Sequence, residues 1–251
     1  MTDLVISVVS DFGLGLLLGG VGGIFGIGGG LIAIPVLIWL FGMDQQLAQG
    51  TALIMIAPNV LLGFLRYRQR NPIEMKSAFI LGLTSIGSTY VTAKYAAGLD
   101  SQSLRFAFAW FLIVLTLFLL FELRPGKVMA ESKRVFHQGW LSLLGLVSGL
   151  CSGLFTVGGG LVVAPAVIHF FGIKRQTTAQ GLALATVVPG AVVALLTYSA
   201  AGKVDWITGV PMAAGGLISI SWGVALAHSL PEKLLRILFC ILLIGTAWTL
   251  F

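Results

Sequence analysis

GGIFGIGGGLIAIPVL, residues 22–37, sets six glycines and a proline into an apolar run that would otherwise read as a buried helix. In a helix interior each glycine costs about 1 kcal/mol relative to alanine, and a proline about 3 kcal/mol. The chain therefore breaks its backbone where everything else favours continuing it. The 251 residues around this stretch are 57% hydrophobic and only 10% charged, with a mean hydropathy of +1.01. Such a composition cannot cover a water-facing surface, so lipid is the expected solvent. Apolar runs at 4–27, 76–97, 104–123, 138–157, 206–227 and 234–251 approach or exceed the roughly 18–20 residues that cross about 30 Å of hydrocarbon. None of them alternates as a barrel strand does, which predicts an all-α polytopic membrane protein.

The opening MTDLVISVV carries no basic segment and leads to no small-residue cleavage pattern, so the first apolar run is expected to be a membrane segment and not a signal peptide. Cys151 and Cys240 lie far apart inside apolar segments. They support neither a disulfide framework nor a zinc site, and read as small buried hydrophobes. The net charge of +6 reports membrane orientation before it reports nucleic acid, which is not expected as a partner.

Sliding the chain by 130 residues exposes an internal repeat. Gly15, Gly19 and Gly23 fall on Gly145, Gly149 and Gly153, Phe25 on Phe155, Gly28–Leu31 on Gly158–Leu161, and Pro35 on Pro165. After one inserted residue the offset becomes 131, which pairs Gln49-Gly50 with Gln180-Gly181, Pro58 with Pro189, Tyr67 with Tyr198 and Arg105 with Arg236. The expected organisation is an N-terminal repeat over 1–123, a charged cytoplasmic linker over 124–137 and a C-terminal repeat over 138–251. Each repeat reads as five segments: 4–27, 30–41, 50–66, 76–97 and 104–123, then 138–157, 160–171, 180–200, 206–227 and 234–251.

The charges orient these segments. If every segment changes sides, twelve lysines and arginines fall on one side and three, Lys94, Arg105 and Lys203, on the other. Four crossings per half would leave nine against six. The positive-inside rule favours the first arrangement, an inverted repeat with both termini outside the cytoplasm of a bacterial-type inner membrane. A re-entrant hairpin made by segments two and three would keep the same parity.

The second segment of each half has about 12 residues and rises only about 18 Å. Broken backbone at membrane depth is tolerated where it is buried in protein or lines a polar cavity. Gly28, Gly29 and Gly30, with Gly158, Gly159 and Gly160, are thus expected to open two half-helices. The free N–H groups of such helices suit an anion, and paired broken segments point to a transporter's binding site. The runs Gly15, Gly19, Gly23 and Gly145, Gly149, Gly153 have instead the spacing of a close packing face. The third segments open QGTALIMIAPN (49–59) and QGLALATVVPG (180–190). Gln49, Thr51, Asn59, Gln180 and Thr186 either donate to anionic oxygens or satisfy the backbone and one another, and so do Ser152 and Thr156 beside the second triplet.

Asp11 and His169 are ionisable groups inside apolar segments, which makes them candidates for proton coupling. Lys94 and Arg105 either draw anions to the outer mouth or snorkel. RYRQR, 66–70, reads as a positive-inside anchor. No His-x-x-His, paired carboxylates or Ser/His/Asp set falls at one depth, so catalysis has little to stand on; no metal or cofactor is expected, and the oligomeric state is left open.

The repeated GGG with a proline five residues on (Gly28–Gly30 with Pro35, Gly158–Gly160 with Pro165), followed by a Gln-Gly helix start with a later proline, resembles the sulfite exporter TauE/SafE family, also called TSUP. The resemblance spans both halves. It implies secondary transport of sulfur-containing or organic anions such as sulfite, sulfoacetate and other sulfonates, coupled to the proton gradient. It points to Gly28–Gly30, Gly158–Gly160, Gln49, Thr51 and Gln180. Beyond the triplets the halves diverge, Met43-Asp44-Gln45 facing Ile173-Lys174-Arg175 and Thr51 facing Leu182, so a symmetric substrate cage does not follow. A passive anion channel and a non-transporting membrane assembly subunit are the rival readings.

Overall fold

A computed structural model describes residues 2–122, 138–156, 158–171 and 175–250; the expected linker, 124–137, lies outside them. The described residues form ten helices: α1 (Thr2–Phe25), α2 (Gly30–Phe41), α3 (Gln45–Arg70), α4 (Met75–Ala97), α5 (Ser101–Glu122), α6 (Gln138–Phe155), α7 (Gly158–Phe171), α8 (Gln176–Ala200), α9 (Trp206–Ser229) and α10 (Glu232–Leu250). Six are long and apolar enough to cross a membrane: α1, α3, α5, α8, α9 and α10. The 23 residues of α4 are richer in Ser, Thr and Gly, because its inner face packs closely on α6 and α8. Leu17, Phe79, Ile218, Trp222 and Trp248 stand exposed on the outside, an apolar surface suited to lipid.

Helix contacts exchange between the halves. α1 packs on α9 as its equivalent α6 packs on α4, α3 on α9 as α8 on α4, and α2 on α3 as α7 on α8. The glycine runs make the first of these contacts. A Cβ at Gly19 would meet Gly216 and the Ser219 hydroxyl, and one at Gly149 would meet Ser88 and lie 2.9 Å from the Ser85 Cα. Backbones come this close only where no side chain intervenes, so the packing expectation for these runs agrees with the structure.

α3 and α8 are equivalent in the repeat and run antiparallel, the start of each lying beside the end of the other. Tyr67, near the end of α3, donates to Gln180 near the start of α8 across 3.0 Å. Tyr198, near the end of α8, donates to Gln49 near the start of α3 across 2.8 Å. Two ends of the bundle follow. The Asp44 end gathers the Asp44–Lys203 ion pair, Gln46 donating to the Leu99 carbonyl, Arg105 donating to the Leu250 carbonyl and Trp39 donating to the Thr249 carbonyl. At the opposite, Asn71 end, the Asn71 side chain joins the Tyr67 carbonyl, the Thr177 hydroxyl and His228.

The two breaks are alike but not identical. Gly26 and Thr156, equivalent at offset 130, both hold positive φ, 66° and 60°. In the first half Gly28 (φ 70°) and Gly29 (φ 90°) extend the break, and α2 begins at Gly30. In the second half α7 begins at Gly158, so Gly158, Gly159 and Gly160 form its first turn. α3 and α8 start four to five residues earlier than the sequence suggests. Asp44 explains the first case, because its carboxylate accepts from the Leu47 N–H at 2.7 Å and caps the helix.

Candidate functional site

The first break and the second short helix meet at one cavity. It is tight, with a free volume of about 20 Å³, and is lined by Gly26 and Ile27 of the break, Gly160 and Pro165 of α7, Gln176 and Gln180 of α8, and Arg236 with Phe239 of α10. Both halves contribute. Arg236 is the only charged lining residue among those described. Phe25 packs against Phe239 with tilted rings, centroids 5.4 Å apart, adding an apolar face to the wall. Its polar lining consists of one cation and two amide side chains in an apolar surround, which strengthens each polar contact by excluding water.

Local sequence explains the placement. A Cβ at Gly26 would lie 2.9 Å from the Gln180 Cβ, so glycine, which also accepts φ 66°, lets the break touch the Gln180 side chain. Tyr67 holds that side chain from the other side, and its hydroxyl also lies 3.0 Å from the Gly23 carbonyl. One hydroxyl proton serves one acceptor at a time. With the Gln180 amide turned over, its NH₂ donates to Tyr67 and Tyr67 donates to Gly23, which satisfies all three groups.

The other expected residues are distributed as follows. Gly28 and Gly29 turn away from the cavity, with virtual Cβ atoms at Val60 and at the Leu18 carbonyl; Gly30 opens α2, buried. Gly159 backs onto Ser148 and Ser152 of α6. Asn59 donates to the Gly28 carbonyl at 3.4 Å while its Oδ1 has no partner. The Thr51 hydroxyl accepts from the Asp205 N–H at 2.9 Å, so it ties α3 to the start of α9. Thr156 donates to the neighbouring Phe155 carbonyl. Gln49 is fully buried against Tyr198. Gln180 and Gly160 line the cavity, whereas Gln49, Thr51, Asn59 and Thr156 do not.

Of the charged candidates, Arg105 is committed to the last carbonyls of α10, at 2.7 Å from Leu250 and 3.4 Å from Thr249. It satisfies a helix C-terminus. Lys94 is exposed on α4 beside a lipid-facing groove with Tyr90 and Thr197. His169 stands edge-on to Phe118 and Phe170. Asp11 is 3% exposed on α1, with Oδ1 unpartnered. No group of three His, Cys, Asp or Glu residues able to hold a metal occurs among the described residues.

Sequence reasoning missed Gln176 and Arg236 as lining residues, and Tyr67 and Tyr198 as the groups that hold the glutamines. The tyrosines were visible as matched positions in the repeat. The signal for the glutamines was the capping aspartate at 44, which moves the helix start back to include Gln45 and, by the repeat, Gln176.

A family model described as Sulfite exporter TauE/SafE matches residues 12–250. The chain is 26% identical over 251 residues to a protein described as "Probable membrane transporter protein" from Xylella fastidiosa (strain 9a5c), covering 96% of this chain and 94% of that one. It is 23% identical to "Probable membrane transporter protein YunE" of Bacillus subtilis (strain 168), covering 92% of each chain. To "Probable membrane transporter protein MJ0441" of Methanocaldococcus jannaschii it is 25% identical, covering 90% of this chain and 88% of that one. No solved structure gives a significant match.

Proposed function

The chain belongs to the sulfite exporter TauE/SafE family, and on that premise we propose that it is a secondary transporter of small sulfur-containing or organic anions, such as sulfite, sulfoacetate and other sulfonates. The observation that carries this reading is the cavity shared by both halves, where Gln176, Gln180 and the single cation Arg236 meet the first backbone break. An anion there exchanges its water shell for two amides and a guanidinium.

Orientation follows from charge. The Asn71 end holds Arg66, Arg68, Arg70, Lys76, Arg175, Lys233 and Arg236, whereas the Asp44 end holds Lys94, Arg105 and Lys203. The positive-inside rule makes the Asn71 end cytoplasmic and leaves both termini outside. Antiparallel α3 and α8 agree with an inverted repeat, and the cavity then faces the cytoplasm. Rocking of one half against the other would close it and open the equivalent region at the Asp44 end, which is alternating access. Protons drive the cycle in this reading, with Asp11 as the carrier and His169 as the weaker candidate.

The test is uptake of radiolabelled sulfite and sulfoacetate into liposomes holding the purified protein, with and without an imposed pH gradient. Saturable uptake that the gradient accelerates is the expected result. Flux linear in concentration would instead mark a passive channel. No flux of either anion would remove this substrate class.

A further inference from the structure

The cavity's polar set has a second copy at the Asp44 end. Gln176 and Gln180 correspond to Gln45 and Gln49, Tyr67 to Tyr198, Gly26 to Thr156, Arg236 to Arg105, and the ring pair Phe25–Phe239 to Phe155–Phe108, whose centroids lie 5.5 Å apart. Here the glutamines are sealed: Gln45 is 1% exposed and Gln49 0%. They are also unsatisfied. Gln45 Nε2 and Oε1, Gln49 Nε2 and the neighbouring Gln46 Oε1 have no hydrogen-bond partner. Turning either amide over leaves the same number of orphans on Gln45 and Gln49, so the shortfall holds in either orientation.

Buried polar atoms in native proteins are almost always paired, and four orphans within five residues of one helix are far outside that expectation. Packing does not require them. Gln45 is held by its backbone N–H, which donates to the Ser101 hydroxyl at 3.0 Å, and Gln46 by its own Nε2 on Leu99. Positions 45 and 49, four apart, share one face of α3, so two side-chain amides leave the helix on the same side, and neither NH₂ has an acceptor.

We infer that Gln45 and Gln49 form a second oxyanion subsite, the mate of the Gln176/Gln180 cavity, occluded in this conformation and filled when the Asp44 end opens. The ligand is a small oxyanion with a bound water: two of its oxygens accept from Gln45 Nε2 and Gln49 Nε2, and the water donates to the free Oε1 atoms. The inference rests on the transport reading above and adds to it a place where the anion pauses at the outer side. Arg105 is tied to α10, so this station is a neutral one. It holds the anion more weakly than the Arg236 station and favours release.

Two experiments keep the inference separable from that reading. In liposomes, Gln45→Met, close in volume but without the amide, is expected to lower sulfite or sulfoacetate uptake at least tenfold. It should remain monodisperse and bind the anion at the cavity within threefold of wild type. Wild-type uptake by Gln45→Met overturns the inference and leaves the transporter standing. Should Gln45→Met not fold, Gln45→Asn, which keeps a shortened amide, takes its place. If the wild-type protein carries neither anion, the transport reading falls, and thiol chemistry decides the subsite without flux. Gln45→Cys in a Cys151→Ala/Cys240→Ala background is treated from the Asp44 side with methanethiosulfonate reagents bearing either a sulfonate or a trimethylammonium group. An oxyanion subsite gives at least fivefold preference for the sulfonate over its preference with a free thiol. No modification by either reagent, or preference for the cation, means that the orphan amides hold internal water only, and overturns the inference.

Discussion

Tyr198 donates to Gln49 across 2.8 Å, joining the end of α8 to the start of α3 and so one half of the molecule to the other. Its mate, Tyr67 on Gln180 at 3.0 Å, makes the same junction at the opposite end. Both tyrosines are fully buried, but only Gln180 borders the cavity.

The two junctions should therefore differ in cost. Tyr198→Phe leaves the Gln49 carbonyl oxygen without a donor in a sealed site, a loss of about 1–3 kcal/mol. Tyr67→Phe leaves Gln180 where cavity water replaces the hydroxyl, so its loss should be about 1 kcal/mol or less. Thermal stability of the two variants in the same detergent checks the ranking. An equal loss would mean that Gln49 is also reached by water.

The glycine runs make a sharper prediction. A Cβ at Gly149 meets the Ser85 backbone and the Ser88 hydroxyl, whereas one at Gly87 meets nothing within 4 Å. Gly149→Ala must push α6 off α4, an overpacking cost of about 1–3 kcal/mol or more. Gly87→Ala should be neutral or slightly stabilising, because alanine is the better helix former. Melting curves and the yield of monodisperse protein distinguish them; similar behaviour would remove close backbone packing as the role of Gly149.

Thr156 occupies the conformation that Gly26 occupies in the other half, at φ 60°. A β-branched residue there is strained by about 1–3 kcal/mol, so Thr156→Gly should raise the melting temperature. Gly26→Ala should lower it and also impair anion binding, since its Cβ would press on Gln180. A less stable Thr156→Gly would show that the Thr156 hydroxyl bond to Phe155 outweighs the strain.

Much of this architecture is legible from the sequence because a membrane punishes unpaired backbone. Ten apolar runs, two triplets of glycine and a repeat in register were enough to expect ten helices, and their observed bounds differ by a few residues. The site was legible only in part. Of the residues singled out, Gln180 and Gly160 line the cavity, whereas Gly28 and Gly29 face α1 and α3, because positive φ at these two positions turns the chain away from the cavity. Which face a broken segment presents depends on those dihedrals, and an identical GGG in the two halves gives no hint that one lies before a helix and the other inside its first turn. Arg105 and Arg236 match in the repeat, but sequence could not separate the one capping α10 from the one lining the cavity.

That separation is testable. Arg236→Gln removes the cavity's cation and should raise the half-saturation concentration for sulfite at least tenfold, on the order of 1.4 kcal/mol or more in binding, with little change in melting temperature. Arg105→Gln frees the α10 carbonyls and should lower the melting temperature while leaving the half-saturation concentration within twofold. Uptake kinetics and melting curves on both variants read the two effects apart; a reversed pattern would make Arg105 the cation that meets the anion and Arg236 a structural group.

Asp11 carries the last prediction. Parallel packing sets Gly15 against Met212, so Asp11, one turn earlier, faces the first turn of α9, where Thr208 donates to the Asp205 carboxylate at 2.8 Å. A carboxyl 3% exposed, with Oδ1 unpartnered, in a helix long enough to cross the membrane, is costly to keep unless its charge changes during the cycle. If Asp11 loads a proton from the Asp44 side, Asp11→Asn fixes it in the neutral form. Exchange of labelled for unlabelled anion across the liposome membrane, which needs no net proton movement, should then continue at near wild-type rate. Accumulation driven by a pH gradient should fall at least tenfold. Loss of both activities in a folded protein would make Asp11 part of the conformational machinery, and loss of neither would move proton coupling to another group, His169 being the next to replace.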